Sequence, residues 1–140
     1  MNYLLDTNIA SYVMRQRPSI VAKVEEIGGL GVLSVSTVTL AELAFGIRIL
    51  PEGRKKNELL NDLERMIATL ADDVRPFSSE AAGIFSEAGA RLRRAGIAFS
   101  FQDLTIASVA IAENKTLASN DGFFEDVRRL CGLRFERWEP

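Results

Sequence analysis

The 140-residue chain is 47% hydrophobic and 26% charged, which is the composition of an ordinary globular domain. It contains one cysteine, Cys131, and no histidine, which excludes an internal disulfide, a multi-cysteine metal site and a Cys–His catalytic pair. The formal net charge of −2 argues against a general nucleic-acid coat protein, although it is compatible with a nuclease whose carboxylates bind a metal.

The same composition limits the chemistry and the location of the protein. No apolar run is long enough to cross a bilayer, and Asp6 interrupts the first apolar stretch after Leu5, so we expect neither a membrane span nor a signal peptide. We therefore expect a single domain over residues 1–140 that works in the cytoplasm. Because histidine is absent, a bound metal should be a hard ion with oxygen ligands, such as Mg²⁺ or Mn²⁺.

Short apolar strands alternate with helices along the chain. Strands are predicted at 2–5, 32–35, 74–77, 116–119 and 133–138. Helices are predicted at 9–15, 19–27, 57–70 and 102–113, from a cap at Ser36 or Thr37 to about residue 50, and from a cap at Ser78 or Ser79 to Gly96. This alternation predicts an α/β fold with a mainly parallel central sheet of four to five strands, covered on both faces. Ligands of such sheets bind at the carboxyl ends of the strands.

Asp6 directly follows the first predicted strand and should therefore lie at this ligand-binding edge. The alternative interpretation is a cap for the helix that begins near Ile9.

Two further acids stand alone in apolar helices. Glu42 is the only charged residue from Thr37 to Ile47, and Asp103 is the only one from Ala95 to Ala112. A helix that is apolar nearly all round is expected to be buried, and a buried carboxylate must be protonated, paired or bound to a metal. The alternatives are an ordinary salt bridge for Glu42 and a favourable interaction with the helix dipole for Asp103.

Asp121 follows the predicted strand 116–119, although Asp-Gly is also a common turn pair. A parallel sheet can bring Asp6, Glu42, Asp103 and Asp121 to one edge, where clustered carboxylates require a cation. The sequence therefore predicts a Mg²⁺ or Mn²⁺ site with open positions for water and phosphate.

These segments resemble the PIN domain in its VapC toxin branch. The resemblance rests on residues 4–8 (Leu-Leu-Asp-Thr-Asn), 36–47, 103–107 and 119–121 with Phe124, and it spans nearly the whole chain. It implies a PIN-like three-layer α/β/α fold and a Mg²⁺- or Mn²⁺-dependent endoribonuclease. It further implies a toxin that cleaves structured RNA such as tRNA, forms a homodimer and is inhibited by a VapB-type antitoxin.

The resemblance also assigns roles to residues. It implies that Asp6 and Asp103 are the main metal ligands and that Glu42 and Asp121 complete the site. Thr7, Asn8 and Ser119 match the supporting polar residues. Water activated by the ion is expected to attack the scissile phosphorus in line, with Glu42 or Asp121 orienting it, leaving a 5′-phosphate and a 3′-hydroxyl.

Two alternatives stay open at this point. One is aspartate-based phosphotransfer with Asp6 as the nucleophile, as in phosphatases or receiver domains. Those proteins, however, usually require further acidic residues that are absent here. The other is a degenerate PIN fold that only binds a partner.

Basic residues cluster at 54–56 and at Arg91, Arg93 and Arg94, where the ordinary interpretation is a solvated helix face.

Overall fold

The computed structural model describes residues 2–70 and 74–140, in which short strands alternate with helices. The strands are β1 (Tyr3–Leu5), β2 (Leu33–Val35), β3 (Thr116–Ser119) and β4 (Phe135–Arg137). The helices are α1 (Thr7–Met14), α2 (Pro18–Glu26), α3 (Thr37–Arg48), α4 (Arg54–Thr69), α5 (Ser79–Arg94), α6 (Phe101–Ala112) and α7 (Phe123–Cys131), with a short 3₁₀ turn at Leu30–Val32.

In the described ranges, the strands form one parallel sheet in the order β2-β1-β3-β4. Leu5, the last residue of β1, is in register with Val35 of β2 and with Ala118 of β3. The carboxyl ends of the strands therefore lie side by side, at what we call the carboxyl edge of the sheet. The predicted parallel sheet of four to five strands is confirmed.

Apolar side chains cover both faces of the sheet, as the predicted three-layer fold requires. Tyr3 and Leu5 point into a core formed with α1, α2, α3 and α4, whereas Leu4 points into a second core formed mainly with α5, α6 and α7. This alternation is the period of two that an extended strand imposes on its side chains. No helix in the described ranges is both long and apolar enough to span a bilayer.

Two expectations about the elements need correction. The predicted strand at 74–77 is wrong, because among the described residues this segment forms only an isolated bridge between Arg75 and Ser36. Pro76, which has no N–H group to donate, follows at once and stops the pairing. Residue 73, which precedes this segment, lies outside the described residues. The structure also contains α7, which the sequence did not predict.

The prediction that α3 is buried on nearly all sides is also wrong. Thr39, Leu43 and Ile47 are buried against the rest of the molecule, but Phe45 and Ile49 are 66% and 67% exposed. An apolar sequence indicates that a helix face disfavours water; it does not indicate whether the same chain covers that face.

Candidate active site

Asp6 lies at the carboxyl edge, immediately after β1, and is 5% exposed. Its Oδ1 accepts a hydrogen bond from the Ile9 backbone N–H at 2.9 Å and so caps α1. Its Oδ2 accepts a hydrogen bond from the Ser119 hydroxyl at the end of β3. The helix-cap interpretation and the position expected for a ligand-binding acid therefore apply to the same side chain.

The pKa of Asp6 is raised from 3.8 to about 6. Burial is the main cause, because it disfavours the charged form. The hydrogen bonds from Ser119 and Ile9 act in the opposite direction, and the negative charges of Asp103 and Asp121 raise the pKa further. Asp6, Asp103 and Asp121 are thus close enough to repel one another.

Asp103 lies in the first turn of α6 and is about half-buried. Its backbone N–H donates to the Ser100 hydroxyl at 3.1 Å, which fixes the start of the helix. Burial raises the pKa of Asp103, the Ser100 hydrogen bond lowers it, and the charge of Asp121 raises it. Ser100 was not singled out from the sequence, although a serine three residues before an acid is a recognisable capping signal.

Asp121 is exposed in the loop between β3 and α7. Its backbone N–H donates to the Ser119 hydroxyl oxygen at 3.0 Å, and its Oδ1 accepts from the Phe123 N–H at 2.9 Å. The Ser119 hydroxyl therefore contacts Asp6 with its hydrogen and the Asp121 backbone with its oxygen. It ties the ends of β1 and β3 together, consistent with the supporting position suggested for it.

Glu42 reaches this region through Thr7, the residue after Asp6. The Thr7 hydroxyl donates to Glu42 Oε1 at 2.7 Å and lies 3.3 Å from the Thr39 hydroxyl. Glu42 is exposed, so the prediction that it is a buried carboxylate is wrong. The side chain of Asn8 is also exposed. In the structure, Asp6, Asp103 and Asp121 are thus close enough for their charges to interact. Glu42 is linked to them through Thr7, the neighbour of Asp6 in the chain.

The donor set at this edge suits a hard divalent cation. All candidate ligands are oxygens, and burial together with the negative charges of Asp103 and Asp121 raises the pKa of Asp6, an effect that a cation would offset. Within residues 2–70 and 74–140, no three acidic side chains stand close enough to bind one ion together. Mg²⁺ commonly uses only one or two carboxylates and completes its coordination with water and phosphate. The residues therefore fit an open site better than a closed cage.

Comparison with known proteins gives a consistent family. The family model for the PIN domain matches residues 3–130. The chain is 31% identical over 140 residues to Ribonuclease VapC2 of Rickettsia felis, covering 99% of both chains. It is 33% identical over 121 residues to Toxin FitB of Neisseria gonorrhoeae, covering 84% of this chain and 86% of that protein.

Solved structures agree with the sequence relatives. The crystal structure of VapBC2 from Rickettsia felis bound to a DNA fragment from its promoter includes a chain with 30% identity and a TM-score of 0.81 to this protein. The similarity covers 99% of this chain and all of that one. The layered fold described above is therefore shared with a chain of the VapBC2 structure.

Proposed function

The chain belongs to the PIN-domain family, and from that premise we propose that it is a divalent-metal-dependent ribonuclease acting as the toxin of a VapBC-type pair. Relatives that it matches over most of their length are named as a VapC ribonuclease and a toxin. The observation that carries the proposal is the meeting of Asp6 and Asp121 at the carboxyl edge through the shared Ser119 hydroxyl, with Asp103 close enough to raise the pKa of Asp6. A cluster of carboxylates that repel one another is explained if it binds a cation.

We assign the ion, Mg²⁺ or Mn²⁺, principally to Asp6 and Asp103. The Asp6 carboxylate is held by two hydrogen bonds, and the backbone of Asp103 is fixed at the start of α6 by the Ser100 cap. Asp121 and Glu42 are exposed and complete the site from its solvent side. Thr7 orients Glu42, and Ser119 orients Asp6 and the Asp121 loop.

The chemistry is phosphodiester hydrolysis. A divalent ion held by Asp6 and Asp103 would lower the pKa of water and offset negative charge on the phosphate. Glu42, held at 2.7 Å by the Thr7 hydroxyl, or Asp121 orients the attacking water and accepts its proton. The new P–O bond forms in line as the P–O3′ bond breaks, which leaves a 5′-phosphate and a 3′-hydroxyl. The absence of histidine removes the usual base for attack by the 2′-hydroxyl.

Aspartate phosphotransfer, the alternative left open by the sequence, is disfavoured by the residues around Asp6. Phosphatases of that kind use a second aspartate two residues after the nucleophile, and position 8 is Asn8.

The proposed partners follow from the relatives. We assign to the chain a VapB-type antitoxin, structured RNA such as tRNA as its substrate, a homodimeric state and a cytoplasmic site of action. An apolar groove of about 430 Å³ lies between α1, α2 and α4. None of the four candidate catalytic acids lines it, so it is distinct from the active site.

The decisive experiment compares purified wild-type protein with Asp103→Asn and Glu42→Gln, using unfractionated tRNA with Mg²⁺ or Mn²⁺. We expect each variant to lose activity by about 100-fold or more with little change in melting temperature. Asp126→Asn is the matched control, because Asp126 is a nearby acid of α7 paired with Arg129. It should keep full activity.

The products provide a second criterion. We expect 5′-phosphate ends and continued cleavage when the 2′-hydroxyl at the mapped site alone is replaced by hydrogen. Full activity of Asp103→Asn would contradict the carboxylate site, and inactivity of the wild type with both ions would favour a degenerate binding protein. A 2′,3′-cyclic phosphate would contradict attack by water.

A further inference from the structure

The carboxyl edge must accept an RNA backbone although its candidate catalytic groups are all acidic. A bound ion offsets part of this repulsion, but phosphates next to the scissile one also need donors. Arginine is the side chain best suited to such contacts, because its planar guanidinium matches two phosphate oxygens.

Arg137 is placed at this edge by the sheet itself. It is the last residue of β4 and is in register with Ser119, the last residue of β3. Registered neighbours in a parallel sheet point to the same face, so Arg137 lies on the face where Ser119 contacts Asp6. The guanidinium Nη2 donates a hydrogen bond at 3.1 Å to the carbonyl oxygen of Asn120, the residue directly before Asp121.

The guanidinium has capacity left for an anion. Of its five N–H groups, one on Nε donates to Glu139 Oε1 at 2.9 Å and one on Nη2 donates to Asn120. Three are therefore open to a ligand. The Arg137 and Glu139 side chains are 46% and 70% exposed, and an ion pair exposed to this degree is weak enough for phosphate to compete.

The backbone beneath Arg137 is firmly held. The N–H of the next residue, Trp138, donates to the Ser119 carbonyl at 2.9 Å, and the Trp138 ring is buried against Tyr3. The base of the side chain is thus fixed while its charged end faces solvent. A group that must position a substrate benefits from this combination.

Other arginines are less suitable. Arg75 also lies beside the end of β2, but it pairs with Glu113 at 2.7 Å and both side chains are largely shielded. Arg91 donates to the Leu130 carbonyl near the end of α7. That helix starts beside Asp121 and is nine residues long, so Arg91 is roughly 13 Å further along it.

We propose that Arg137 is a positioning residue that binds a backbone phosphate of the RNA next to the scissile one. The inference rests on the proposed ribonuclease function. Arg137 lies beyond residue 130, where the match to the family model ends, so that match assigns it no role.

The test compares Arg137→Gln and Arg137→Lys with the control Arg134→Gln. Arg134 is exposed and lies just before β4, at the opposite end of the strand. Cleavage of unfractionated tRNA with Mg²⁺ gives KM and kcat, and their dependence on salt counts phosphate contacts. We expect Arg137→Gln to raise KM about tenfold with a small change in kcat. It should reduce the slope of log(kcat/KM) against log salt by about 0.7, the value for one contact to a single strand.

Arg137→Lys should recover part of the affinity and the full salt slope, because it keeps the charge without the planar fork. Arg134→Gln should match the wild type. A loss confined to kcat with an unchanged salt slope would show that Arg137 merely holds the Asn120 loop, and unchanged kinetics of Arg137→Gln would also overturn the inference. In both cases an active wild type leaves the ribonuclease proposal standing, whereas an inactive wild type would overturn both.

Discussion

Asp6 combines two tasks that place opposite demands on its charge. As the cap of α1 and the acceptor of the Ser119 hydroxyl it favours ionisation, but burial outweighs both hydrogen bonds and raises its pKa to about 6. Near neutral pH the carboxylate is therefore mostly ionised at the expense of folding stability. A site that holds a charged acid in this way is prepared for a cation rather than for its own stability.

This conflict predicts how the stability of the metal-free protein depends on pH. The pKa of Asp6 is higher in the folded chain than its usual 3.8, so the folded state binds the proton more tightly and stability falls as pH rises between about 4 and 6. Between pH 5 and 7.5 the contribution of Asp6 should fall by about 1.4 kcal/mol. Urea unfolding in EDTA at both pH values measures this difference.

Asp6→Asn is the control for this prediction, since asparagine can still cap α1 but cannot ionise. The fall in stability between the two pH values should be smaller in the variant by that amount. An equal fall in both proteins would show that Asp6 does not titrate in this range. Adding Mn²⁺ at pH 7.5 should stabilise the wild type more than Asp6→Asn.

The candidate acids could be found from the sequence because each was anomalous in its own segment. Asp6 ended a strand, and Glu42 and Asp103 stood alone among apolar residues. The exposure of Glu42 could not be found in this way, because it depends on which face of α3 meets the rest of the fold. Arg137 gave no local signal, since its contact with Asn120 spans 17 residues of sequence.

At the scale of elements, the start of α6 couples folding to the site. Ser100 caps this helix by accepting the Asp103 N–H at 3.1 Å, and Ser78 caps α5 in the same way through Ala81 at 3.1 Å. Losing either hydroxyl should therefore cost a similar amount of stability. Only the Ser100 cap holds a residue of the candidate active site.

We accordingly expect Ser100→Ala and Ser78→Ala each to destabilise the protein by about 1 kcal/mol. Ser100→Ala should in addition reduce the rate of RNA cleavage several-fold, because Asp103 loses its fixed orientation. Ser78→Ala should leave the rate unchanged. Thermal unfolding and cleavage assays on the same preparations separate the two effects; equal rates in both variants would mean that the cap serves folding alone.

The elements themselves were predictable where period and boundary signals agreed. Serines at 36 and 78, which were among the predicted caps, mark the starts of α3 and α5, and strand β3 was predicted with its observed limits. Helix α7 has charged residues in both its first and last turns, and its buried residues are Phe124 and Val127. Two buried apolar residues are too few to show a helical period in the sequence, so this helix was not predicted. At 74–77 an apolar pattern resembled a strand, but after its one bridge Pro76 offers no N–H for pairing.

At the scale of the whole molecule, the main feature is that part of the apolar sequence of α3 is exposed instead of buried. Phe45 lies in α3 and Ile49, one turn later, directly follows its last residue, which puts the two side chains on the same side of the helix. Two large exposed apolar side chains together are typical of an interaction surface. Glu42 lies one turn before Phe45 on this side, so the surface adjoins the candidate active site.

We expect this α3 surface to form the interface of the proposed homodimer. The wild type should then have twice the 15.5 kDa mass of the chain in light scattering or sedimentation equilibrium. Phe45→Asp and Ile49→Asp should each shift the mass toward that of one chain, because the interface would have to bury an unpaired charge. Ala22→Asp, which adds the same charge to an exposed position of α2, should remain dimeric.

Circular dichroism should show all three variants folded, since Phe45 and Ile49 are largely exposed in the single chain. A wild type that stays monomeric at the highest soluble concentration would contradict the homodimer, and a dimer unaffected by both α3 variants would place its interface on another surface.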